Sequence, residues 1–261
     1  MEVLIRDAAD TGCVLGAKII ASFVREKPNA VLGLATGRTP LRLYQELIRL
    51  HRDEGLSFSR VTTFNLDEYI GLPGTHPQSY RYFMQESLFR HIDIDPSRTH
   101  VPNGIAPDLH AECRSYEDRI AATGGIDLQL LGLGRNGHIG FNEPTGSLRS
   151  RTWIKILSEQ TLRDNSEVFG SMEAMPKHAI TMGIGTILDA RRCLLLAFGP
   201  AKVRAVAQMI EGPLCAICPG SALQLHPRAT VIVDESSAGG LQYSDHYRWI
   251  DSHKLDWQKH K

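Results

Sequence analysis

The chain has 261 residues, of which 42% are hydrophobic and 22% are charged, as in an ordinary globular protein. Lysine plus arginine (29) equals aspartate plus glutamate (29), so no net charge draws the protein to nucleic acid or to an anionic membrane. No apolar stretch approaches the roughly 20 residues of a membrane span, and we therefore expect neither a nucleic-acid nor a membrane partner.

Helical and strand patterns alternate along the chain. Val3 to Ile5 predicts a first strand, and apolar positions at helical spacing predict a helix over Thr11 to Glu26. The nearly continuous apolar run Val31 to Ala35 is typical of a strand that is buried on both faces. The other predicted elements are helix 41–50, strand 61–66, helix 77–92, helix 112–122, strand 127–133, strand 193–198, helix 201–211 and strand 230–233. This alternation, without repeats or flexible linkers, predicts one α/β domain over 1–261, with a parallel sheet covered by helices on both sides.

The amino terminus and the cysteines indicate the cytoplasm. The first ten residues turn acidic early and contain no long apolar core, so they do not resemble a signal peptide. Five scattered cysteines suit a reducing compartment better than a disulfide framework. Cys215 and Cys218 have the spacing of half a zinc site or a redox pair, but no second pair completes it. We therefore expect two ordinary thiols, no metal and no cofactor.

Ligands of parallel sheets bind beyond the carboxyl ends of the strands, which directs attention to three turns. The first turn, Thr36 to Pro40, joins a buried strand to a helix. Backbone N–H groups around Gly37 and the start of the helix suit a phosphate group. Thr36 and Thr39 can add hydroxyl donors, and Arg38 can add a charged fork. A plain helix cap explains the same residues equally well.

The second turn follows the strand that ends at Leu66 and carries Asp67 and Glu68. Burial, or the neighbouring carboxylate, would raise the pKa of one of these acids toward the range that is useful to a general base. The alternative is a solvated acidic turn that caps the next segment.

The third turn, Gly134 to Pro144, is rich in glycine and carries His138 between Asn136 and Glu143. Histidine gives and takes protons near neutral pH, and either Asn136 or Glu143 can supply the acceptor that orients its ring. The alternative is a hydrogen-bonded structural histidine. A carboxylate and a histidine, without a metal motif or a Gly-x-Ser-x-Gly nucleophile, fit proton-transfer chemistry.

Together these turns resemble the glucosamine-6-phosphate deaminases, which convert the amino sugar into fructose 6-phosphate and ammonia. The segments that carry the resemblance run in family order across nearly the whole chain: 32–40, 63–72, 136–144, 150–152, 179–186 and 223–226. The resemblance implies a single α/β domain with a modified Rossmann-like, mostly parallel sheet, helices on both faces and a mobile helical lid at about 157–180.

The resemblance also implies roles for individual residues. Asp67 matches the carboxylate that moves a proton between C1 and C2 of the opened sugar, and His138 matches the residue that opens the ring. Glu143 matches the orienting partner of His138, and Lys202 matches a phosphate-binding lysine. The phosphate loop of the family is matched by Thr36, Gly37 and Thr39.

Three positions depart from the family pattern. Many relatives have aspartate where this chain has Asn136, and an amide stabilises an imidazolium less than a carboxylate does. Glu167 stands where well-known relatives have a phosphate-binding lid arginine, and our hypothesis is that Arg38 replaces that cation. Trp153 and Lys155 stand where allosterically regulated relatives carry Arg-x-Lys, so we expect weak or absent activation by N-acetylglucosamine 6-phosphate.

Other functions fit many of the same residues. A galactosamine-6-phosphate deaminase is the nearest alternative, because the two sugars differ at one hydroxyl group. A catalytically silent regulator that binds sugar phosphates is another. A 6-phosphogluconolactonase is more distant, and the segment Phe141 to Pro144 argues against it.

The tail 241–261 is polar with interspersed aromatic side chains: Tyr243, Tyr247, Trp249 and Trp257. We expect either a closing helix or a subunit contact in a possible homo-oligomer.

Overall fold

The computed structural model describes residues 1–255 and 258, in which strands and helices alternate along most of the chain. The strands are β1 (Glu2–Arg6), β2 (Val31–Leu34), β3 (Thr62–Asn65), β4 (Asp67–Tyr69), β5 (Thr99–His100), β6 (Leu128–Gly132), β7 (Trp153–Ile156), β8 (His178–Thr181), β9 (Cys193–Ala197) and β10 (Ala229–Asp234). The helices are α1 (Ala9–Glu26), α2 (Arg38–Glu54), α3 (Tyr80–Ser87), α4 (Leu109–Ala122), α5 (Glu159–Asn165), α6 (Ile184–Leu188), α7 (Val203–Ile210), α8 (Glu235–Ala238) and α9 (Ser244–Ser252). Short 3-10 segments cover Phe89–His91, Pro96–Arg98, Ser166–Phe169, Pro200–Lys202 and Pro219–Leu225.

Seven strands form one sheet in the order β1-β10-β9-β6-β2-β3-β5, and every neighbouring pair runs parallel. Successive side chains of a strand point to opposite faces of its sheet. In β9 the consecutive residues Leu194, Leu195 and Leu196 are all buried, so both faces of the sheet are covered. The predicted single α/β domain with a mostly parallel sheet is confirmed, and each predicted strand falls within this sheet.

A second, smaller sheet was not predicted. Its three strands have the order β4-β8-β7 and run antiparallel. Leu66 alone separates the end of β3 from the start of β4, so the chain passes directly from the main sheet into the small one. Its strands read Asp-Glu-Tyr, Trp-Ile-Lys-Ile and His-Ala-Ile-Thr, and they lack the nearly continuous apolar run that identified β2.

The helical part of the predicted lid is shorter than 157–180. It consists of α5 and the 3-10 segment Ser166–Phe169, and the chain then enters β8 at His178. Ser158 caps α5 by accepting the backbone N–H of Thr161 at 3.2 Å. The segment contributes to a small apolar cluster separate from the main core, formed by Tyr69, Phe141, Leu157, Leu162, Met175 and Ala179.

The described part of the tail forms a closing helix. Helix α9 lies against β1, where Arg6 pairs with Asp251 at 2.8 Å and Lys254 pairs with Glu2 at 2.7 Å. Trp257, which belongs to the tail 241–261, lies outside the described residues. No helix in the described part of the chain is long and apolar enough to cross a membrane.

Candidate active site

Asp67 lies where the chain passes from the main sheet into the small sheet, and only 5% of it is exposed. Burial and, secondarily, the charge of neighbouring Glu68 raise the pKa of Asp67 to about 8. Both causes act in the same direction, because each disfavours the charged form. The ionised form of Asp67 is therefore a much stronger base than an ordinary surface aspartate, and this suits it to proton abstraction.

Glu68 is also buried, but its carboxylate already has hydrogen-bond partners. It accepts the backbone N–H groups of Tyr69 at 2.9 Å, Tyr80 at 2.9 Å and Arg81 at 3.0 Å. The last two residues begin α3, so Glu68 holds the start of that helix. Burial raises the pKa of Glu68, while these hydrogen bonds oppose the rise. Glu68 is thus bound to the backbone of its own turn and of α3.

The glycine-rich turn after β6 places the ring of His138 beside Glu143. The two atoms that face each other, His138 Nδ1 and Glu143 Oε2, are 3.6 Å apart. That nitrogen is buried and has no hydrogen-bond partner among the described residues. Gly134 permits the arrangement, because a Cβ at this position would lie 2.3 Å from His138 Cε1. Glu143 Oε2 is thus the acceptor that faces the ring nitrogen.

Asn136 positions Glu143 and makes no hydrogen bond to Nδ1 of the His138 ring. Its Nδ2 donates to Glu143 Oε2 at 2.8 Å, and its Oδ1 accepts the backbone N–H of His138 at 3.2 Å. Of the two ring acceptors that the sequence left open, the geometry selects Glu143. Asn136 holds the turn in shape.

Glu143 also connects this turn to the helical part of the predicted lid, which begins at α5. Its Oε1 accepts the hydroxyl of Thr161 at 2.5 Å and the backbone N–H of Ser158 at 3.2 Å. Burial alone would raise the pKa of Glu143, but His138 and the hydrogen bonds from Thr161 and Asn136 outweigh it and lower the pKa to about 2. Glu143 is therefore ionised at neutral pH and can stabilise a protonated His138.

Thr181 brings Asp67 and the histidine turn together. It pairs with Asp67 across the small sheet, and its hydroxyl accepts the backbone N–H of Phe141 at 3.0 Å. A Cβ at Gly140 would lie 3.5 Å from Asp67 Oδ2. Asp67 and the turn that carries His138 therefore line one site, as the edge of a parallel sheet predicts.

The turn after β2 begins α2 earlier than predicted. Gly37 caps the helix with a φ of 100°, a conformation that side chains rarely adopt, and the helix starts at Arg38 instead of residue 41. The half-buried Thr36 precedes the cap, and Thr39 lies in the first helical turn. Arg38 forms an ion pair with Glu167 of the lid, and both side chains are 78% exposed. Arg38, the cation expected to bind phosphate, thus pairs with Glu167, the residue that stands in place of the family's lid arginine.

Lys202 lies just before α7, in the turn that follows β9. Burial lowers its pKa, nearby Asp164 of the lid opposes this shift, and Arg135 of the histidine turn adds to it. The charges of Asp164 and Arg135 therefore both act on this lysine.

Cysteine and metal-ligating residues form no second site in residues 1–255 and 258. Cys215 and Cys218 are free thiols. Within the same residues, no three His, Cys, Asp or Glu side chains lie close enough together to hold a metal ion.

Known proteins resemble this chain in sequence along nearly its whole length. A family model described as glucosamine-6-phosphate isomerases/6-phosphogluconolactonase matches residues 6–232. The chain belongs to this family. The glucosamine-6-phosphate deaminase of Hahella chejuensis is 56% identical over 98% of this chain and 97% of its own length. That of an Arthrobacter species is 50% identical over 99% of both chains.

Solved structures of the isomerase/lactonase family share the fold. A monomeric glucosamine-6-phosphate deaminase superposes with a TM-score of 0.91 at 49% identity, covering 92% of this chain and 100% of its own. A 6-phosphogluconolactonase from Trypanosoma cruzi superposes with a TM-score of 0.73 at 20% identity, covering 92% of this chain and 97% of its own. The second likeness concerns the fold alone.

Several residues of this family member line the site without having been singled out from the sequence. Ser158 and Thr161 bind Glu143, and Thr181 joins Asp67 to the histidine turn. The pattern of a serine before a helical segment was the only local signal for Ser158. No local signal pointed to the other two, because their partners are distant in the sequence.

Proposed function

We propose that this protein is a glucosamine-6-phosphate deaminase, which converts glucosamine 6-phosphate and water into fructose 6-phosphate and ammonia. One observation carries the proposal: a buried aspartate with a raised pKa shares a site with a histidine–glutamate pair. The deaminases of Hahella chejuensis and an Arthrobacter species, 56% and 50% identical to this chain, support this substrate.

His138 opens the pyranose ring in the proposed reaction. Its imidazole removes the proton from O1 of the sugar and returns it to O5, so the ring bond breaks and an aldehyde forms. Between these transfers the imidazole is positively charged. The ionised Glu143 stabilises that charge, and Asn136 keeps Glu143 in place.

Asp67 carries out the isomerisation of the opened sugar. Its carboxylate removes the proton from C2, the electron pair forms a C1–C2 double bond, and O1 takes a proton from the ammonium group of the substrate, so that a neutral enolamine forms. The protonated Asp67 then gives the proton to C1, which leaves an imine at C2. Water adds to that carbon and ammonia leaves, giving the ketone. A pKa of about 8 suits both the removal and the return of the proton.

We propose that the substrate phosphate binds beyond β2 and β9, at Thr36, Gly37, Thr39 and Lys202. The start of α2 presents backbone N–H groups there, and Lys202 supplies a positive charge. Residues 157–180 act as a mobile lid over this site. The contacts of Ser158 and Thr161 with Glu143 support that role, because they join the lid to the catalytic turn.

Arg38 is proposed as a further phosphate ligand. Because it is 78% exposed and already pairs with Glu167, its contribution is screened by water. We expect Arg38→Ala to raise the Michaelis constant for glucosamine 6-phosphate by less than about tenfold, with kcat little changed. Saturation curves measure this directly, and an unchanged Michaelis constant would remove Arg38 from the phosphate site.

Activation by N-acetylglucosamine 6-phosphate is expected to be weak or absent. Trp153 Nε1 donates to Asn142 Oδ1 at 3.1 Å, and the ammonium of Lys155 lies 4.4 Å from the centre of the Trp153 ring. Trp153 thus stands in place of the arginine of the Arg-x-Lys pair, and its ring contacts the remaining lysine, Lys155. Substrate saturation curves with and without this ligand should coincide. A clear shift toward lower substrate concentration would contradict the expectation.

Ammonia release from purified protein tests the proposed function. Glucosamine 6-phosphate should yield ammonia and fructose 6-phosphate in equal amounts. Faster release from galactosamine 6-phosphate would instead support the epimer as substrate, and hydrolysis of 6-phosphogluconolactone without ammonia release would support a lactonase. Tight binding of glucosamine 6-phosphate without turnover would support a regulator.

We further propose that the enzyme works in the cytoplasm with a site that is complete within one chain. All five cysteines are free thiols, and the similar solved deaminase is described as monomeric. Analytical ultracentrifugation at the concentration used for activity distinguishes an active monomer from an obligate homo-oligomer.

A further inference from the structure

We infer that Arg135 is a phosphate-binding residue, and that Asp164 of the lid occupies its guanidinium until the phosphate of the substrate displaces it. The inference rests on the proposed function, because it concerns how the same site binds a sugar phosphate.

The topology of the main sheet places Arg135 between the two halves of the proposed phosphate site. Strand β6 lies between β2 and β9, and all three run parallel, so the turns that follow them lie at the same edge. The turn after β2 carries the phosphate loop Thr36–Thr39, and the turn after β9 carries Lys202. Arg135 is in the turn after β6. It therefore stands at the centre of the edge where the phosphate is expected.

The charges around Arg135 leave an excess of positive charge. Arg135 Nη1 lies 3.4 Å from Asp164 Oδ1, and the charges of Arg135 and Asp164 both act on the half-buried ammonium of Lys202. Two cations and one carboxylate sum to a net charge of +1. If Asp164 withdraws, the remaining charge of +2 balances a phosphate monoester dianion.

The contact between Arg135 and Asp164 is of a kind that phosphate can replace. The two side chains are 54% and 30% exposed, and exposed ion pairs contribute little because water screens them. A phosphate carries more charge than a carboxylate and accepts two parallel hydrogen bonds from a guanidinium. A lid carboxylate beside a bound phosphate would be repelled, so exchange of Asp164 for phosphate is the favourable outcome.

A second ion pair repeats this arrangement. Glu167, three residues after Asp164, pairs with Arg38, which is part of the phosphate loop and the first residue of α2. The lid thus directs two carboxylates at two arginines that border the proposed phosphate site. Because α5 is also joined to Glu143 through Ser158 and Thr161, displacement of Asp164 acts on the segment that holds the catalytic glutamate.

The test compares Arg135→Gln with Arg163→Gln. Arg163 lies on α5, the helix that carries Asp164, and it pairs with exposed Glu159. Its variant therefore loses one positive charge outside the site. We expect Arg135→Gln to weaken binding of inorganic phosphate, followed by 31P NMR titration, by about 10- to 100-fold. The Michaelis constant for glucosamine 6-phosphate should rise by a similar factor while kcat changes far less. Arg163→Gln should stay within about twofold of the native protein in both measurements.

Asp164→Asn tests the displacement. It removes the carboxylate that competes for Arg135, so phosphate should bind a few-fold more tightly; weaker binding would overturn this part of the inference. Circular dichroism verifies the fold of each variant. Should Arg135→Gln fail to fold, Arg135→Lys carries the same test with a smaller expected weakening.

Failure of the inference and failure of the proposed function are distinguishable. Unchanged phosphate binding and an unchanged Michaelis constant in a folded Arg135 variant overturn the inference, while ammonia release by the native protein keeps the function. If phosphate binding weakens in the variant but the native protein releases no ammonia, the inference stands and the deaminase function falls.

Discussion

Replacing Asp67 by asparagine is expected to lower kcat for ammonia release by about 10²- to 10⁴-fold, with a Michaelis constant close to that of the native protein. An amide has nearly the shape of a carboxylate but cannot take a proton from carbon at any pH used for catalysis. The sugar and its phosphate should therefore still bind. Initial rates and substrate titrations separate the two effects, and a loss of less than about tenfold would exclude Asp67 as the base.

The pH dependence of the native protein gives an independent check on Asp67. A general base acts only when it is ionised, and burial raises the pKa of Asp67 to about 8. Activity measured as kcat/KM, which reports groups of the free enzyme, should therefore rise with pH and level off above about 8. This rise should be missing from the residual activity of Asp67→Asn.

The same substitution is expected to stabilise the fold at alkaline pH. The pKa of Asp67 is raised from 3.8 to about 8 in the folded protein, so the folded state holds this proton more tightly than the unfolded state does. The contribution of Asp67 to stability is therefore most favourable below pH 3.8, falls as the pH rises and is lowest above about 8. Urea denaturation should show a larger gain for Asp67→Asn at pH 8.5 than at pH 5.

Glu68→Gln is the matched control for these measurements. Its carboxylate accepts three backbone N–H groups and holds the start of α3, so the variant should lose stability. Its kcat should fall far less than that of Asp67→Asn, because the side chain is bound to the backbone of its own turn and of α3. A larger kcat loss in Glu68→Gln than in Asp67→Asn would make Glu68 the base and leave Asp67 with the structural role.

The sequence allows much of the site to be predicted because the fold is a parallel sheet. Once strands are assigned near Leu66 and Leu133, their following turns must share one edge, which brings Asp67 and His138 to the same side. Family resemblance then distinguishes their roles. Local residues also reveal the turn itself, since Gly134 is needed for the ring of His138 to fit.

The rest of the site depends on contacts that local patterns do not specify. Arg38 and Glu167 are 129 residues apart, and exposed charges have many possible partners, so their pairing could not be predicted. The pairing of Asp67 with Thr181 requires the register of a small antiparallel sheet, whose strands were not recognised. The helical lid expected over about 157–180 ends before β8, which begins at His178, because cross-strand pairing outweighs local helix propensity there.

Replacing Glu143 by glutamine is the second change with a large expected effect. It should lower kcat by about 10²-fold or more, because the imidazolium of His138 loses its counter-charge during ring opening. Glu143 accepts hydrogen bonds from Asn136, Ser158 and Thr161. A glutamine has one acceptor oxygen, so at least one of these donors would face an NH₂ group, and we expect a loss of about 2–4 kcal/mol in unfolding free energy at pH 7.

The pH dependence of the stability loss in Glu143→Gln shows whether the loss comes from the charge of Glu143 or from its packing. The pKa of Glu143 is lowered from 4.5 to about 2, so the stability due to its charge is present above pH 4.5 and is lost as the pH falls toward 2. The difference in unfolding free energy between the native protein and Glu143→Gln should therefore narrow over this window. A difference that does not change with pH would assign the loss to packing.

Thr161→Val separates the charge of Glu143 from its contact with the lid. It removes the hydroxyl that donates to Glu143 at 2.5 Å and keeps the carboxylate beside His138. Amide hydrogen exchange over 158–169 should accelerate in both variants, because both lose this lid contact. The fall in kcat should be much larger in Glu143→Gln. Equal falls in the two variants would mean that the lid contact, and not the counter-charge, is what ring opening requires of Glu143.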